Sequence, residues 1–259
     1  MSNNVLLIGL GEMGGVFARG ILKAGYPVYP VGRRDDLRQV SQDTPDPQAV
    51  VIAVGEKDIQ NVLAAIPKKW HDRVVLLQNE LLPRDWQKHS IANPTVISVW
   101  FEKKAGQDVK VIIPSPVYGP LAEMIKASLT AINISCDALS SPDELLFELV
   151  VKNLYILTVN IAGLEVGGTV GELWSKHQDL AKAVANDVLD IQFKMIGQDL
   201  DRDRLIGAMV KAFNGDLDHK CMGRSAPARL QRAIECADEF GLVASKLREI
   251  YTSKEQAPI

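Results

Sequence analysis

The chain has 259 residues, of which 47% are hydrophobic and 24% are charged. This composition is typical of a globular protein that buries a full core, and the length suits one large domain or two of ordinary size. The formal net charge is −3, and a negative net charge does not favour binding to nucleic acid or to an anionic membrane surface.

Three cysteines, Cys136, Cys221 and Cys236, are too few and too widely spaced for a disulfide framework or a zinc site. The four histidines are scattered, and no pair has metal-ligand spacing. We therefore expect no metal site and a reducing, cytoplasmic location. Residues 1–4 contain no basic residue, which predicts that the chain has no signal peptide.

Short β-branched runs alternate with helical patterns through the first half of the chain. The predicted strands are Val5–Gly9, Val28–Val31, Ala49–Val54, Arg73–Leu77, Thr95–Trp100 and Val109–Ile113, and the predicted helices are Gly14–Ala24 and Asp58–Ile66. Several of these strands are apolar without alternation, which indicates a parallel sheet covered on both faces. The fold class predicted for residues 1–138 is therefore an α/β Rossmann dinucleotide-binding domain.

The second half has helical periodicity and no convincing strand after Ile134. The predicted helices are Pro142–Leu164, Leu180–Gln198, Asp203–Phe213, Pro227–Phe240 and Ala244–Tyr251. Ser141 before Pro142 and two acidic residues is a typical helix start. We therefore predict an all-helical domain over residues 139–259.

The longest apolar stretch, Leu145–Leu164, contains Glu148, Lys152, Asn153 and Asn160. A membrane span would have to bury two charged groups and two amides, which is costly. A buried core helix is therefore the better interpretation, and we expect no membrane partner.

A glycine-rich turn, Gly9-Leu10-Gly11-Glu12-Met13-Gly14, joins the first predicted strand to the first helix. In such a turn the first glycine permits a tight bend, the second lets a pyrophosphate approach the backbone, and the third allows close packing of helix on strand. The free N–H groups of the helix start then bind the phosphates. The sequence predicts dinucleotide binding here, the alternative being a purely structural turn.

The second predicted strand ends in Val31-Gly32-Arg33-Arg34, where NAD-binding domains usually carry a carboxylate for the ribose 2′-hydroxyl. Two guanidinium groups suit a 2′-phosphate instead, so we expect NADP. The alternative is a solvated basic pair at a helix start, paired with Asp35 and Asp36.

Lys152 lies within the apolar helix, where an ammonium group is unfavourable unless it is paired or lines a cleft. Asn160 is eight residues further on, and Asn153 and Asn160 share a face. A buried lysine has a lowered pKa and could protonate a carbonyl oxygen as hydride reaches its carbon. The alternative is a lysine that extends to solvent beside hydrogen-bonded amides.

Taken together, these residues resemble the ketopantoate reductase family, within the larger group that joins a Rossmann domain to a helical domain of the 6-phosphogluconate dehydrogenase type. The similarity rests on the glycine turn, an arginine after the second strand, Leu77-Gln78-Asn79, the spacing of Lys152 and Asn160, and Gly171-Glu172-Leu173.

The resemblance implies that Lys152 is the general acid, that Asn160 is a substrate-binding amide and that Asn79 lies near the nicotinamide ribose. The predicted cofactor-binding residues are those of the glycine turn, Arg33, Arg34, Val54, Gly55, Gln78 and Asn79.

The chain departs from the family pattern at several positions. Glu80 replaces a glycine, Ile156 replaces a second asparagine, and Gly55 stands where a lysine is common. Residues 224–228 lack the family's acidic motif, and Asn214-Gly215-Asp216-Leu217 replaces its serine-rich loop. The cofactor side therefore resembles the family more closely than the substrate side does.

The leading hypothesis is an NADPH-dependent reductase of a small 2-oxo acid or related carbonyl. The glycine turn followed by Arg19 and Gly25 also resembles the opening of β-hydroxyacid dehydrogenases. A catalytically silent NADP-binding sensor or interaction protein is the alternative from another class. The helical domain is long enough to bury a face in a homodimer.

Overall fold

The computed structural model describes residues 3–255, and the chain divides after Leu149 into two compact units. The strands are β1 Val5–Ile8, β2 Val28–Val31, β3 Ala49–Ile52, β4 Val74–Leu76, β5 Thr95–Ile97, β6 Phe101–Glu102, β7 Lys110–Val111, β8 Ser115–Tyr118 and β9 Cys136–Ala138. The helices of the first unit are α1 Glu12–Lys23, α2 Leu37–Asp43, α3 Ile59–Ala65, α4 Pro83–Gln87 and α5 Ala122–Thr130, with a 3₁₀ helix at Lys68–Arg73.

Seven strands form one sheet in the order β2-β1-β3-β4-β5-β8-β9, parallel at every pairing except β5 with β8. The third strand pairs with β1 rather than with β2. The strand order therefore reverses between β1 and β3, and in open α/β sheets ligands bind at the carboxyl ends of the strands at such a reversal. The α/β class and the Rossmann fold are confirmed.

The first unit is built around β1 and β3, every residue of which is buried. Burial of each large aliphatic side chain contributes about 1.5–3 kcal/mol. On one face of the sheet α1 packs against α5, and a Cβ at Gly20 would stand 2.6 Å from the carbonyl oxygen of Ser128. Glycine at position 20 therefore permits the close approach of the two helices.

The prediction that no strand follows Ile134 is wrong, because β9 lies at the edge of the sheet. An edge strand of three residues with one buried side chain has no apolar run to reveal it. The preceding strand β8 was also missed, since it contains Pro116 and begins with a serine. The predicted strand Val109–Ile113 is reduced to β7, which pairs only with β6 in a hairpin outside the main sheet.

The remaining helices are α6 Pro142–Val166, which crosses the division between the units, α7 Val170–Lys176, α8 Gln178–Ile196, α9 Arg202–Phe213, α10 Ala226–Glu239 and α11 Ser245–Glu255. In the second unit α7, α10 and α11 all pack against α8. The predicted start of α6 is confirmed, because the Glu144 N–H donates to Ser141 Oγ over 3.2 Å.

Within residues 3–255, α6 alone has the length and apolar composition that a membrane span needs. Its most apolar 18-residue window is 83% buried inside the protein. The interpretation as a core helix is therefore confirmed.

Candidate functional site

The glycine turn packs tightly against the end of β3. Gly9 has φ +101°, and a Cβ there would stand 2.7 Å from the carbonyl carbon and oxygen of Ala53. A Cβ at Gly14 would stand 2.1 Å from the carbonyl oxygen of Gly9. Backbone atoms cannot yield as flexible side chains do, so both positions require glycine for folding.

Gly11 differs from these two glycines because its backbone is extended and no described atom lies within 4 Å of a Cβ built there. It is the N-cap of α1, where no side chain of the described residues caps the helix N–H groups. Packing therefore gives no reason for a glycine at position 11. Open backbone at a helix start is what an approaching pyrophosphate requires.

A cleft of about 580 Å³ opens beside the first turns of α1. Its lining is Leu10, Gly11, Glu12, Gly15, Val16, Arg19, Lys103, Asp108, Val109, Val111, Ile132, Asn133 and Ile134. Lys103 Nζ lies 3.4 Å from the Glu12 carboxylate and also donates to the carbonyl of Gln107. The lysine therefore places a positive charge next to the acidic residue of the glycine turn.

Arg33 and Arg34 are both exposed after the end of β2. Arg33 Nη2 lies 3.7 Å from Asp58 Oδ2 at the start of α3, and its side chain is 91% exposed. The carboxylates of Asp35 and Asp36 instead accept hydrogen bonds from the N–H groups of Gly32 and Arg38. The basic pair is therefore held only loosely.

The ends of β3 and β4 are joined by the buried side chain of Gln78. Its Nε2 donates to the carbonyls of Ile52 over 2.6 Å and Val54 over 3.2 Å. The next residue, Asn79, is half-buried and donates to Glu56 Oε1 over 3.3 Å. These bonds hold the segment from Val54 to Gly55 close to Asn79, at the carboxyl edge of the sheet.

Glu80 has φ +64°, a conformation that glycine adopts most readily. The turn after β4 therefore has a backbone shape that suits glycine, which is the residue that the family resemblance leads us to expect at this position.

Lys152 lies in α6 with 8% of its surface exposed. Burial, and to a smaller extent the charge of Arg229, lowers the pKa of its ammonium group to about 7. Its Nζ is 5.8 Å from the centre of the Tyr155 ring. A lysine with this pKa exchanges a proton readily at neutral pH.

The two buried amides of α6 have different partners. Asn153 Nδ2 donates to Gln192 Oε1 on α8 over 3.0 Å, so Asn153 joins two helices. Asn160 Oδ1 accepts from Arg229 Nη1 on α10 over 3.2 Å, and its Nδ2 donates to the Ile156 carbonyl over 2.9 Å. In the second unit a hydrogen bond thus connects Asn160 with Arg229, and the charge of Arg229 acts on Lys152.

Arg229 was not among the site residues predicted from the sequence. A usable signal was present, because residues 219–234 contain Lys220, Arg224, Arg229 and Arg232 but no aspartate or glutamate. This segment, whose charged residues are all basic, leads into the first turns of α10 and covers the place where the family resemblance leads us to expect an acidic motif.

Gly171-Glu172-Leu173 forms the start of α7. The side chains and N–H groups of Thr169 and Glu172 bond reciprocally over 3.2 and 3.3 Å, which is a capping box. A Cβ at Gly171 would stand 3.0 Å from the Leu217 carbonyl oxygen, and Leu173 is fully buried. These three residues therefore serve folding.

The cysteines are free thiols, and burial raises the pKa of Cys136 to about 12 and that of Cys221 to about 11. Thiols with such pKa values are poor nucleophiles at neutral pH. Among residues 3–255 no three His, Cys, Asp or Glu side chains are grouped to hold a metal ion.

Solved structures of other proteins have the same fold over nearly the whole length of this chain. The 2-dehydropantoate 2-reductase of Methylococcus capsulatus superposes with a TM-score of 0.68 at 13% identity, over 97% of this chain and 96% of that one. The chain has the fold of the ketopantoate reductases. The dimeric ketopantoate reductase of Staphylococcus aureus gives a TM-score of 0.65 at 16% identity, with 96% of each chain covered.

The same fold occurs in a D-mandelate dehydrogenase solved with NADH and anilino(oxo)acetate, with a TM-score of 0.68 at 13% identity, over 97% of this chain and 98% of that one. No protein-family model matches the sequence, and no curated protein matches it. At these identities the likeness establishes the fold.

Proposed function

We propose that the protein is an NADPH-dependent reductase of a small 2-oxo acid or related carbonyl compound, with Lys152 as general acid. The observation that carries the proposal is the burial of Lys152 in α6 with a pKa of about 7. Such a pKa is near the optimum for a proton donor at neutral pH. The fold adds support, since its solved relatives include 2-dehydropantoate reductases and a D-mandelate dehydrogenase.

The residues of the first unit fit a nicotinamide dinucleotide. The open backbone at Gly11 and the N–H groups of Glu12 and Met13 would hold the pyrophosphate, while Gly9 and Gly14 shape the turn. The segments Val54–Gly55 and Gln78–Asn79 would flank the cofactor at the adjacent strand ends. When bound, the cofactor supplies a hydride.

The choice of NADPH rests on Arg33 and Arg34. Two exposed guanidinium groups stand where a carboxylate would select NADH, and their fork geometry suits a phosphate. A D-mandelate dehydrogenase of the same fold was solved with NADH, so the fold itself does not fix the choice.

Reduction of a ketone requires a hydride at the carbonyl carbon and a proton at the oxygen. The protonated Lys152 would donate that proton from Nζ, leaving a neutral amine that its buried surroundings stabilise. Asn160, two helical turns further along α6 and held by Ile156 and Arg229, would bind the substrate. Solvent would then return the proton to the amine.

The proposed setting is the cytoplasm, with a small-molecule substrate and no membrane or nucleic-acid partner. A homodimer is part of the proposal, since a ketopantoate reductase of the same fold is described as dimeric. We also propose the predicted division into two domains. Residues 1–138 would bind the cofactor, and residues 139–259 would bind the substrate or form the dimer contact.

The test is NADPH oxidation by the purified protein with a panel of 2-oxo acids, for the wild type, Lys152→Met and Lys176→Met. Lys176 is an exposed lysine that pairs with Glu172 on α7 and serves as the control. We expect Lys152→Met to lose activity by about 10²–10⁴-fold and Lys176→Met to retain it. Equal activity in wild type and Lys152→Met would remove Lys152 from the mechanism.

A catalytically silent NADP-binding protein is the second candidate, because residues 224–228 carry no carboxylate where the family resemblance expects one. It predicts that NADPH binds but that no 2-oxo acid is reduced. A β-hydroxyacid dehydrogenase is the less favoured enzyme, since only the opening of the chain resembles it, whereas the solved structures of the same fold include ketopantoate reductases.

A further inference from the structure

Gln78 is a buried polar side chain whose hydrogen bonds within residues 3–255 all go to backbone groups. It lies just after the end of β4 with 8% of its surface exposed, and its Oε1 accepts from the Leu77 N–H over 3.2 Å. Its Nε2 donates to the carbonyls of Ile52 and Val54 at the end of β3. A side-chain amide has two N–H groups, and both are used here. Any effect of Gln78 on a ligand therefore acts through the backbone that it holds.

The bonds of Gln78 begin where the pairing of β3 with β4 ends. The last pair of the two strands is Ile52 with Leu76. Beyond that pair, the side chain of Gln78 takes the place of a neighbouring strand for the carbonyls of Ile52 and Val54. A buried carbonyl without a partner is unfavourable, so the amide keeps the end of β3 in position.

The same segment of β3 also contacts the glycine turn. The Ala53 N–H donates to the Ile8 carbonyl over 2.7 Å, and a Cβ at Gly9 would stand 2.7 Å from the Ala53 carbonyl and 2.9 Å from the Val54 nitrogen. The end of β3 is therefore held by the glycine turn and by Gln78 together. Loss of the Gln78 bonds would leave only the glycine turn to position it.

The strand order gives the direction in which a dinucleotide would cross this edge of the sheet. In the proposed function, Arg33 after β2 binds the 2′-phosphate, and the glycine turn after β1 binds the pyrophosphate. The next strands in the sheet are β3 and β4, and adjacent strands are about 4.8 Å apart. A dinucleotide that extends from β2 past β1 therefore places its nicotinamide half over the ends of β3 and β4.

Gln78 connects the two segments that would flank this half of the cofactor. It holds Val54 by a hydrogen bond and is joined to Asn79 by the peptide bond. Asn79 is half-buried and is oriented by its own bond to Glu56 Oε1. The separation between Val54–Gly55 and Asn79 is therefore set by the Gln78 side chain.

We infer that Gln78 is a positioning residue for the nicotinamide half of the cofactor. The inference rests on the proposed function for the identity of the ligand as a nicotinamide dinucleotide. It limits the effect of Gln78 to one half of that ligand, because the adenosine phosphates would bind at Arg33 and the glycine turn.

The experiment compares, by calorimetry, the binding of NADPH and of adenosine 2′,5′-bisphosphate, which lacks the nicotinamide half, to the full chain. The variants are Gln78→Met, which keeps the length of the side chain but loses its hydrogen bonds, and Gln78→His, which keeps one N–H donor. Gln192→Met is the matched control, because Gln192 is also buried and bonds Asn153 in the second unit. Thermal unfolding checks that each variant is folded, and reduction of 2-oxo acids is measured in parallel.

We expect Gln78→Met to bind NADPH about tenfold to hundredfold more weakly than the wild type, and the bisphosphate less than about threefold more weakly. Gln78→His should recover part of the NADPH affinity, because one donor is restored. Gln192→Met should keep the wild-type affinity for both ligands. With NADPH saturating, kcat of Gln78→Met should fall more than KM for the 2-oxo acid rises, since a misplaced nicotinamide ring slows hydride transfer. A merely structural role would lower both affinities together or neither.

Equal losses for NADPH and the bisphosphate in a folded Gln78→Met variant, or no loss for either, would overturn the inference. If Gln78→Met does not fold, Gln78→His must show the same selective loss to a smaller extent. A wild type that binds neither ligand overturns the inference and the proposed function together.

Two further outcomes separate the inference from the proposed function. If NADPH binding shows the selective loss but no 2-oxo acid is reduced, the positioning role stands and the reductase proposal fails. If a 2-oxo acid is reduced and Gln78→Met changes neither NADPH affinity nor kcat, the reductase stands and this inference fails.

Discussion

Gly14 lies against Gly9 so closely that a Cβ at position 14 would stand 2.1 Å from the Gly9 carbonyl oxygen. A Cβ at Gly11, between them in the same turn, would meet no described atom within 4 Å. The turn thus contains one glycine that folding demands and one that folding leaves free.

Alanine substitutions at these two glycines should therefore affect different properties, the stability at Gly14 and the nucleotide affinity at Gly11. Gly14→Ala should destabilise the protein by about 2 kcal/mol or more, because backbone must move. Gly11→Ala should change the free energy of unfolding by less than about 1 kcal/mol while weakening NADPH binding at least about tenfold, since the methyl group occupies the path of the pyrophosphate. Urea unfolding and a fluorescence titration with NADPH measure the two effects. Normal NADPH affinity in Gly11→Ala would contradict the assignment of the turn.

Arg33→Ala should weaken NADPH binding by about tenfold to hundredfold and NADH binding by less than about threefold, because only the 2′-phosphate needs the guanidinium. Asp58→Asn is the matched control, since it removes the carboxylate 3.7 Å from Arg33 without removing the cation. It should leave NADPH affinity unchanged or raised. An equal loss of both nucleotides in Arg33→Ala would show that Arg33 does not recognise the phosphate.

The reduction rate should depend on pH through Lys152. Its pKa is lowered to about 7, and the protonated form is the proton donor, so kcat/KM should fall as pH rises above about 7. Arg229→Gln should move this alkaline limb to higher pH, because the charge of Arg229 is one cause of the lowered pKa. A profile that is flat between about pH 6 and 9 would show that another group donates the proton.

Lys152 should also make stability depend on pH. In the unfolded chain its pKa returns to 10.5, so between about pH 7 and 10.5 the unfolded state binds more protons and the free energy of unfolding rises with pH. Lys152→Met should be more stable than the wild type at pH 6 by on the order of a few kcal/mol, and the difference should shrink towards pH 10. Urea unfolding at the two pH values measures this. A difference that does not change with pH would contradict the lowered pKa.

Glu80→Gly should stabilise the protein by about 0.5–1 kcal/mol, because the residue is held at φ +64°. Lys57→Gly, at an exposed turn position with ordinary backbone, is the control and should be neutral or destabilising. Thermal unfolding compares the two. A destabilised Glu80→Gly would show that the interactions of the glutamate outweigh the strain of its backbone.

The sequence predicted those parts of the fold that depend on local patterns. The glycine turn, the β1–α1 unit and the start of α6 at Ser141 follow from residue types at fixed spacing, and each lies where expected. The strands β8 and β9 were missed because their pairing is set by neighbours distant in the chain. A short edge strand has little apolar pattern of its own.

For the candidate site, the sequence predicted which residues are buried but not which side chains they bond. Burial of Lys152 and Asn160 followed from the apolar helix that carries them. The bond between Asn160 and Arg229 joins residues 69 positions apart, and no spacing rule brings α10 against α6. The resemblance drew attention to a missing carboxylate at residues 224–228, while the side chain that bonds Asn160 is the guanidinium of Arg229, one residue beyond.

Among residues 3–255 the outermost strand β2 pairs with β1 alone, and its third residue, Pro30, is exposed and carries no amide hydrogen. A strand of another molecule that paired with the edge of β2 would lack one backbone N–H donor at Pro30. Copies of the protein are thereby discouraged from joining their sheets at this edge, so the exposed Arg33 and Arg34 just beyond β2 are not covered by such pairing.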